Sequence, residues 1–235
     1  WQSPGSIDPV TAHGENLRSA MAAARQRSRD DPMPPPPTEL RPAARPTMYF
    51  IGVTTRQSSI NAVFPRWAER LGLGDCELRG LDFPVGGDPA ALRAAVEFIK
   101  HDPLSLGALV TTHKITVGHA CREQFDAIEP LSRSLGEISS LYKRAGRLHG
   151  RTVDPWTAGY ALAAFLPPGH FAGGGEFLIL GAGGAGTALA WHLAQGLPAE
   201  ARPGRIHLAD RQVTRLEAVR RLHAGWVAPA PLAVH

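Results

Sequence analysis

A glycine-rich segment carries the most specific chemical signal in this sequence. Residues 181–186 read GAGGAG, and they lie between the apolar run 177–180 and the helix-like run 187–195. In a dinucleotide-binding loop, the first glycine permits a tight turn, the second lets a pyrophosphate approach, and the third lets helix and strand pack closely. The alternative is that the glycines serve packing alone. We predict that the cofactor-binding residues of this loop are Gly181, Ala182, Gly183, Gly184, Ala185 and Gly186.

The end of the next strand-like run, 205–209, gives conflicting signals about the cofactor. Asp210 stands where an acidic side chain would bond the adenosine ribose hydroxyls, which favours NAD. Arg211 and Arg215 follow it and are available for the 2′-phosphate of NADP. For these arginines, the solvated face of a helix shared with Glu217 is an equally good interpretation.

The elements that must position these residues alternate between strand and helix from residue 48 onwards. Apolar runs predict buried strands at 48–53, 76–83 and 107–111, and apolar residues three and four apart predict crossover helices at 61–71 and 90–100. This alternation predicts an α/β fold with a parallel sheet.

A hairpin and a helix follow these elements. The hairpin strands are predicted at 138–143 and 147–152 around the turn residues Ala145 and Gly146, and the helix is predicted at 157–165. Three consecutive glycines, at 173 to 175, mark a break before a new unit that contains the glycine loop.

Composition separates the first 47 residues from the rest of the chain. This segment holds 9 of the 21 prolines, four of them in the row 34–37, and almost no Val, Ile, Leu or Phe. It cannot bury enough apolar surface to offset its ordering entropy, so we predict a disordered, proline-rich tail at 1–47 with at most a solvated helix near 15–29. After it we expect a parallel α/β domain over 48–172 and a partial Rossmann (doubly wound) nucleotide-binding domain over 173–235.

Whole-chain composition excludes several classes of protein. The 235 residues are 43% apolar and 20% charged, as in ordinary globular proteins. A net charge of +4 spread along the chain does not predict a nucleic-acid partner, and no apolar run is long enough to cross a bilayer. Cys76 and Cys121 lie far apart and outside any metal-binding spacing. We therefore expect no metal, no membrane partner and a reducing, cytoplasmic compartment.

Four segments, taken together in chain order, resemble the shikimate dehydrogenase family, including its quinate dehydrogenase members. They are IGVTTRQSSI at 51–60, GALVTTHK at 107–114, LGEISS at 135–140 and GRLHGRTVD at 146–154. The resemblance implies that the domain over 48–172 binds the substrate and carries the catalytic residues.

The resemblance also implies roles for individual residues. Lys114 and Asp154 match the catalytic lysine and aspartate of the family, with His113 as the alternative acid or base and helix capping as the alternative role for Asp154. Ser58 matches a serine that binds the substrate carboxylate, and Ser59 would substitute for a second one; the alternative for both is a helix cap. The implied substrate-binding residues are Ser58, Ser59, Thr111 and Ser139.

Several positions depart from the family pattern. Ile60, Leu109, Ser139 and Thr152 replace residues that contact the substrate, and Glu137 stands where the family has a small alanine. These replacements leave two alternatives open for the substrate: shikimate itself, with 3-dehydroshikimate as its ketone, or a related compound such as a quinate-like acid. The 63 residues from 173 to 235 amount to about half of a complete nucleotide domain, so the chain could be a fragment.

By this resemblance the chain is expected to be an NAD(P)-dependent oxidoreductase that interconverts a ring ketone and a secondary alcohol of a cyclic hydroxy acid. In the family this is a step of chorismate and aromatic amino acid biosynthesis. We expect NADP, with NAD as the alternative, and a monomer or homodimer. Two other functions stay open: a non-catalytic binding or regulatory protein that retains the fold, and a nucleotide-binding module of another assembly.

Overall fold

The structure, a computed structural model, describes residues 40–235 of the chain. This part begins with three parallel strands and two crossover helices. The interpretations of residues 1–39, among them the helix near 15–29, lie outside it. The first elements are β1 (Thr47–Gly52), α1 (Ile60–Arg70), β2 (Glu77–Asp82), α2 (Pro89–His101) and β3 (Ser105–Val110). β1 lies between β2 and β3 and pairs in parallel with both, as the alternating pattern predicts.

The start of α2 shows how the sequence sets these elements. The Asp88 side chain accepts a hydrogen bond from the backbone N–H of Ala90 at 2.8 Å, and Pro89 stands in the first turn, where a missing N–H costs nothing. One face of the helix then packs against the sheet through the buried side chains Leu92, Ala95, Val96 and Ile99.

The second half of this sheet departs from a purely parallel arrangement. Its elements are α3 (Lys114–Ala120), β4 (Ala127–Ile128), α4 (Pro130–Leu135), β5 (Ser140–Arg144) and β6 (Arg147–Arg151). The strand order is β2-β1-β3-β5-β6-β4, in which β5 is antiparallel to both of its neighbours and β4 is parallel to β6. The predicted hairpin is β5 and β6, and its short turn forces the antiparallel pairing. Ala145 and Gly146 form the turn with φ angles of 51° and 73°.

A second, three-stranded parallel sheet follows. Its elements are α5 (Asp154–Ala163), β7 (Glu176–Leu180), α6 (Gly184–Trp191), β8 (Arg205–Ala209), α7 (Val213–Ala224) and β9 (Leu232–Val234). The strand order is β7-β8-β9, and α6 ends in one π-helical turn, His192–Gly196. The predicted strand, loop and helix around the glycines are present, and β9 adds a strand that the sequence pattern does not predict.

The second sheet buries one face. Ile179 of β7 and Leu208 of β8 belong to the apolar core, whereas Leu178 and Leu180 on the opposite face of β7 are 59% and 79% exposed. Within residues 40–235, β7 pairs with β8 alone, so its outer edge carries no strand.

The chain just before β1 is ordered against the first sheet, which corrects the tail boundary predicted at residue 47. Thr47 is buried as the first residue of β1, and Leu40 packs against the apolar core. The backbone N–H of Ala43 donates to Asp102 Oδ2 at 3.1 Å, and the Tyr49 hydroxyl donates to the same oxygen at 2.6 Å. These contacts offset the ordering entropy of a segment with few apolar residues, an effect that composition does not reveal.

The α5 helix packs against α6. The rings of Trp156 and Trp191 meet edge to face with centroids 5.7 Å apart. Gly159 of α5 lies so close to His192 that an added Cβ would be 2.2 Å from the imidazole ring. The domain boundary between residues 172 and 173 stays a prediction.

Residues 40–235 contain neither a membrane-spanning helix nor a cluster of metal-binding side chains. No helix in this range combines the length and the apolar character that a membrane span requires. No group of three or more His, Cys, Asp or Glu side chains in the same range is arranged to hold a metal ion.

Candidate active site

The glycine loop has a different local geometry at each of its three key glycines. Gly181 has a φ of 105°, a left-handed conformation that side chains rarely adopt. A Cβ built on Gly183 would meet no atom within 4 Å, so the backbone there is open to an approaching group. A Cβ built on Gly186 would lie 1.9 Å from the carbonyl oxygen of Gly181. This turn, open backbone and close helix packing fit a bound pyrophosphate at the start of α6.

Asp210 braces this loop from the end of β8. Its Oδ2 accepts a hydrogen bond from the backbone N–H of Ala182 at 2.7 Å, and its Oδ1 accepts one from Gln212 at 2.8 Å. These backbone hydrogen bonds, that from Ala182 first, lower the pKa of Asp210 and keep it ionised. Both carboxylate oxygens therefore have partners within the protein, whereas the sequence predicts contact with a ribose.

The two arginines predicted to meet the cofactor lie on the surface after β8. Arg211 is exposed, and Arg215 Nη1 lies 3.8 Å from Asp210 Oδ2 with half of its side chain exposed. Ala185, also predicted to contact the cofactor, is an exposed residue in the first turn of α6. All three are within reach of solvent at the same end of the second sheet.

Lys114 and Asp154 meet at the starts of two helices. Lys114 is the first residue of α3 and Asp154 the first residue of α5, and Lys114 Nζ donates a hydrogen bond to Asp154 Oδ1. The side chains are 17% and 19% exposed, so the ion pair is largely buried but still reached by solvent. No hydrogen bond from the Asp154 side chain caps α5, because the N-cap position is Val153. The capping alternative therefore has no support in the geometry.

A buried polar network backs this ion pair. The Thr152 hydroxyl donates to Glu137 Oε1 at 2.9 Å and lies 3.4 Å from Asp154 Oδ2. The Ser139 hydroxyl lies 3.4 Å from the Thr152 oxygen and accepts the backbone N–H of Val153 at 3.2 Å. Ser139 is 3% exposed, so the structure places this predicted substrate contact behind the ion pair.

Glu137 joins this network to the glycine loop. Its Oε2 lies 2.7 Å from the Cβ position of Gly184, the first residue of α6. The same Cβ position is 3.7 Å from Lys114 Cδ. The side chains of Lys114 and Glu137 thus lie beside the start of the glycine-loop helix.

Two predicted substrate residues line an open cavity of about 410 Å³ beside the end of β1. Ser58 and Thr111 are among its walls, whereas Ser59 is exposed and lies outside them. Ser59 makes no side-chain cap on α1, and Ser58 Oγ accepts the N–H of Ile60 at 3.4 Å. The cavity is lined by Phe50, Val53, Thr54, Thr55, Gln57, Ser58, Thr111 and Thr112.

His113, the alternative acid or base, is buried and hydrogen-bonded to the backbone. The residue is 5% exposed, and its Nε2 donates to the carbonyl oxygen of Phe83 at 2.9 Å. Its ring also meets the Phe83 ring edge to face, with centroids 6.2 Å apart. The imidazole is therefore buried against Phe83, although His113 directly precedes Lys114 in the sequence.

The structure thus brings Lys114, Asp154 and Ser139 together in one network and Ser58 and Thr111 together in one cavity. Glu137 and Thr152 were not predicted as site residues, although both stand at positions that depart from the family pattern. A departure marks a position but does not say which way the side chain points, so the sequence alone does not reveal their contact with the ion pair.

Comparisons with known proteins agree with the resemblance seen in the motifs. Shikimate dehydrogenase (NADP(+)) from Salinibacter ruber is 31% identical over 139 residues, which are 57% of this chain and 41% of that protein. The one from Thermococcus kodakarensis is 36% identical over 83 residues, which are 35% of this chain and 28% of that protein. The chain therefore spans less than half the length of the curated relatives that it matches. No protein-family model matches it.

Solved structures show the same fold at low sequence identity. Shikimate 5-dehydrogenase from Listeria monocytogenes, in complex with shikimate and NAD, has a TM-score of 0.63 and 20% identity over 84% of this chain and 63% of that one. Quinate dehydrogenase from Corynebacterium glutamicum, in complex with NAD, has a TM-score of 0.64 and 19% identity over 81% and 64%. These structural similarities confirm the predicted fold class, and the curated relatives above support the family resemblance.

Proposed function

We propose that this chain, a relative of the shikimate dehydrogenases in sequence and fold, carries the substrate-binding part and the first half of the cofactor-binding part of an NADP-dependent oxidoreductase. It would interconvert a ring ketone and a secondary alcohol of a cyclic hydroxy acid, with NAD as the alternative cofactor. The observation that carries this proposal is the ion pair of Lys114 and Asp154, with Lys114 beside the start of the glycine-loop helix.

The glycine loop is the part of this chain that would hold the cofactor, because the backbone at Gly183 is open and the start of α6 attracts phosphate. A bound nicotinamide supplies or accepts the hydride. Arg211 and Arg215 are the side chains available for a 2′-phosphate, which supports NADP over NAD.

Lys114 would manage the proton of this reaction. In the direction of reduction, its ammonium Nζ donates a proton to the substrate oxygen as negative charge develops there, which leaves Lys114 as a neutral amine. Asp154 orients Nζ by the hydrogen bond to Oδ1, and Thr152 lies against the other carboxylate oxygen. In the direction of oxidation, the neutral amine takes the hydroxyl proton back.

The cavity beside β1 would hold the acidic end of the substrate. Ser58 and Thr111 place hydroxyl groups on its walls, and hydroxyls donate hydrogen bonds to a carboxylate. Thr111 is three residues before Lys114 in the chain, so the cavity and the ion pair are linked by one short segment. A ring compound with one carboxylate and several hydroxyls, such as shikimate or quinate, fits this division of roles.

Steady-state kinetics on variants of the ion pair test this proposal. Lys114→Ala and Asp154→Ala should each lower kcat by at least ~10²-fold, the range typical of losing a general acid. The double variant should lose little more than the worse single variant, because the two residues act as one unit. The assay follows NADPH absorbance with shikimate and with quinate as substrates.

A matched control is available elsewhere in the chain. Lys100 and Asp126 form another ion pair of similar exposure, with Nζ 3.2 Å from Oδ1. Lys100→Ala should leave kcat within about two-fold of the wild type, because this pair does not touch the proposed site. Near-normal turnover in Lys114→Ala would contradict the assignment of the proton donor.

One observation favours a non-catalytic binding protein as the second candidate. Ser59 lies outside the cavity and Ser139 lies behind the ion pair, so two of the four predicted substrate contacts are not available to a molecule in the cavity. A protein of this kind would bind shikimate or NADPH, detected as a rise in Tm, and would turn over neither. A cytoplasmic location and a monomeric or homodimeric state stay predictions.

A further inference from the structure

Glu137 is a buried carboxyl group that the proposed reaction does not use. The residue is 1% exposed and lies between α3, the start of α5 and the start of α6. Its Oε1 accepts the hydrogen bond from Thr152, whereas its Oε2 has no hydrogen-bond partner in the described part of the chain. A buried carboxylate with an unpaired oxygen is costly, so the group must either carry a proton or meet a ligand.

The unpaired oxygen faces the end of a helix that attracts anions. Oε2 lies 2.7 Å from the Cβ position of Gly184, in the first turn of α6 and in the middle of the glycine loop. The phosphates of a dinucleotide bind at such a helix start. An ionised Glu137 would place a negative charge beside those phosphates, in a buried environment where repulsion between like charges is strong.

The groups around Glu137 define its electrostatic environment. Lys114 faces it from α3 and Asp154 faces it from the start of α5. The first turn of α6 presents only small neutral residues, from Gly184 to Thr187. His119 of α3 lies on the far side of Gly136, with its ring 3.4 Å from the Cβ position of that glycine. Lys114 is already paired with Asp154, so Glu137 has no cation of its own.

We propose that Glu137 must carry a proton for the cofactor to bind, so that binding of the dinucleotide to this chain takes up one proton. This inference rests on the proposed function, because it requires that a dinucleotide binds the glycine loop. The protonated carboxyl is neutral beside the phosphates and has an O–H to donate.

The pKa of Glu137 places this exchange near neutrality. Burial raises the pKa of Glu137 most, and the charge of Asp154 adds to this, while the hydrogen bond from Thr152 and the charge of Lys114 lower it; together they bring the pKa to about 7. Below this pKa the site is ready to bind, and as the pH rises above it the site must first recover a proton. Affinity for the cofactor should therefore fall as the pH rises through neutrality.

The fall in affinity can be worked out from this pKa. If only the protonated form binds, a group with a pKa of about 7 makes Kd about ten-fold larger at about pH 8 than at about pH 6. In Glu137→Gln the side chain is neutral at every pH, so Kd should stay within about two-fold over the same range and match the low-pH value of the wild type.

The experiment is a fluorescence titration of the full chain with NADH at a series of pH values. NADH is the first probe because the 2′-phosphate of NADPH ionises near pH 6 and would add its own pH dependence. Calorimetry of the wild type at about pH 7.5, in two buffers of different ionisation enthalpy, should show uptake of most of one proton. As a control, Glu200→Gln removes an exposed carboxylate from the same half of the chain, and its Kd should still rise about ten-fold between about pH 6 and about pH 8.

The possible results separate this inference from the proposed function. NADH binding by the wild type with a flat pH dependence, or with no proton uptake, would overturn the role of Glu137 and leave the oxidoreductase proposal standing. Absence of binding of both NADH and NADPH at every pH, in both the wild type and Glu137→Gln, would overturn both. If Glu137→Gln does not fold, Glu137→Ala also removes the charge at this position and replaces it in the titration. If neither variant folds, the number of protons taken up by the wild type on binding decides whether Glu137 has this role.

Discussion

The stability of the protein should respond differently to a side chain added at Gly183 and at Gly186. In Gly186→Ala the new Cβ would lie 1.9 Å from the Gly181 carbonyl oxygen, so the loop and α6 must move apart. Overpacking of this kind costs about 1 to 3 kcal/mol, which lowers Tm by about 2 to 12 °C in a chain of this size. At Gly183 an added Cβ would meet no atom within 4 Å, and the backbone is extended, with φ −81° and ψ −173°, so Gly183→Val should lower Tm less than Gly186→Ala does.

Binding of NADPH should be lost in both variants for different reasons. The valine at 183 covers the open backbone that the pyrophosphate must approach, while the alanine at 186 distorts the loop itself. Calorimetric scans give Tm and fluorescence titration gives Kd, and Gly173→Val, in a loop where an added Cβ meets nothing, serves as the control for both. An unchanged Tm in Gly186→Ala, or an unchanged Kd in Gly183→Val, would refute the geometric account of the loop.

Three further predictions follow from individual contacts. Asp210→Ala should weaken the binding of NAD and of NADP alike, because the Ala182 N–H loses the acceptor that shapes the loop. Titration with each cofactor tests this, and tighter binding of NADP would instead show that Asp210 acts mainly by repelling the 2′-phosphate. Ala145→Gly should raise the unfolding free energy by about 0.4 to 1 kcal/mol in urea, because Ala145 has a φ of 51°; a lower value would contradict this. Tyr49→Phe should cost about 1 to 3 kcal/mol near neutral pH by removing the hydrogen bond to Asp102. Burial alone would raise the pKa of Asp102, but its hydrogen bonds, that from Tyr49 first, lower this pKa overall. The stabilisation from the Tyr49 hydrogen bond is therefore lost as the pH falls below about 4. Over that pH range the unfolding free energy of Tyr49→Phe should fall less than that of the wild type.

Long apolar runs and strong turn signals made much of the fold predictable. β1 buries the consecutive apolar residues Tyr49, Phe50 and Ile51, and the turn at Ala145 and Gly146 separates the two strands of the hairpin. The missed elements are short: β4 has two residues and β9 has three, so neither offers a full period of any pattern. That the hairpin joins the first sheet depends on contacts between distant segments, which local patterns do not encode.

In the candidate site, too, the local features were predictable from the sequence and the contacts between distant segments were not. The glycine loop was predictable because each glycine has a local backbone or packing requirement. The pairing of Lys114 with Asp154 came from the resemblance, since 40 residues separate them. The engagement of Asp210 with the loop and the contact of Glu137 with Gly184 were not predictable, because both depend on side-chain directions set by the packing of two sheets.

The exposed face of the second sheet affects how this chain will behave at high concentration. Parallel sheets are usually covered on both faces, yet Leu178 and Leu180 face solvent beside the unpaired edge of β7. Among residues 40–235 no strand covers this edge, and apolar side chains next to free backbone donors and acceptors form a template on which another strand can add. The 235 residues, purified by themselves, should therefore self-associate as they are concentrated, and a charged residue in place of Leu180 is the simplest change to improve solubility for the measurements above.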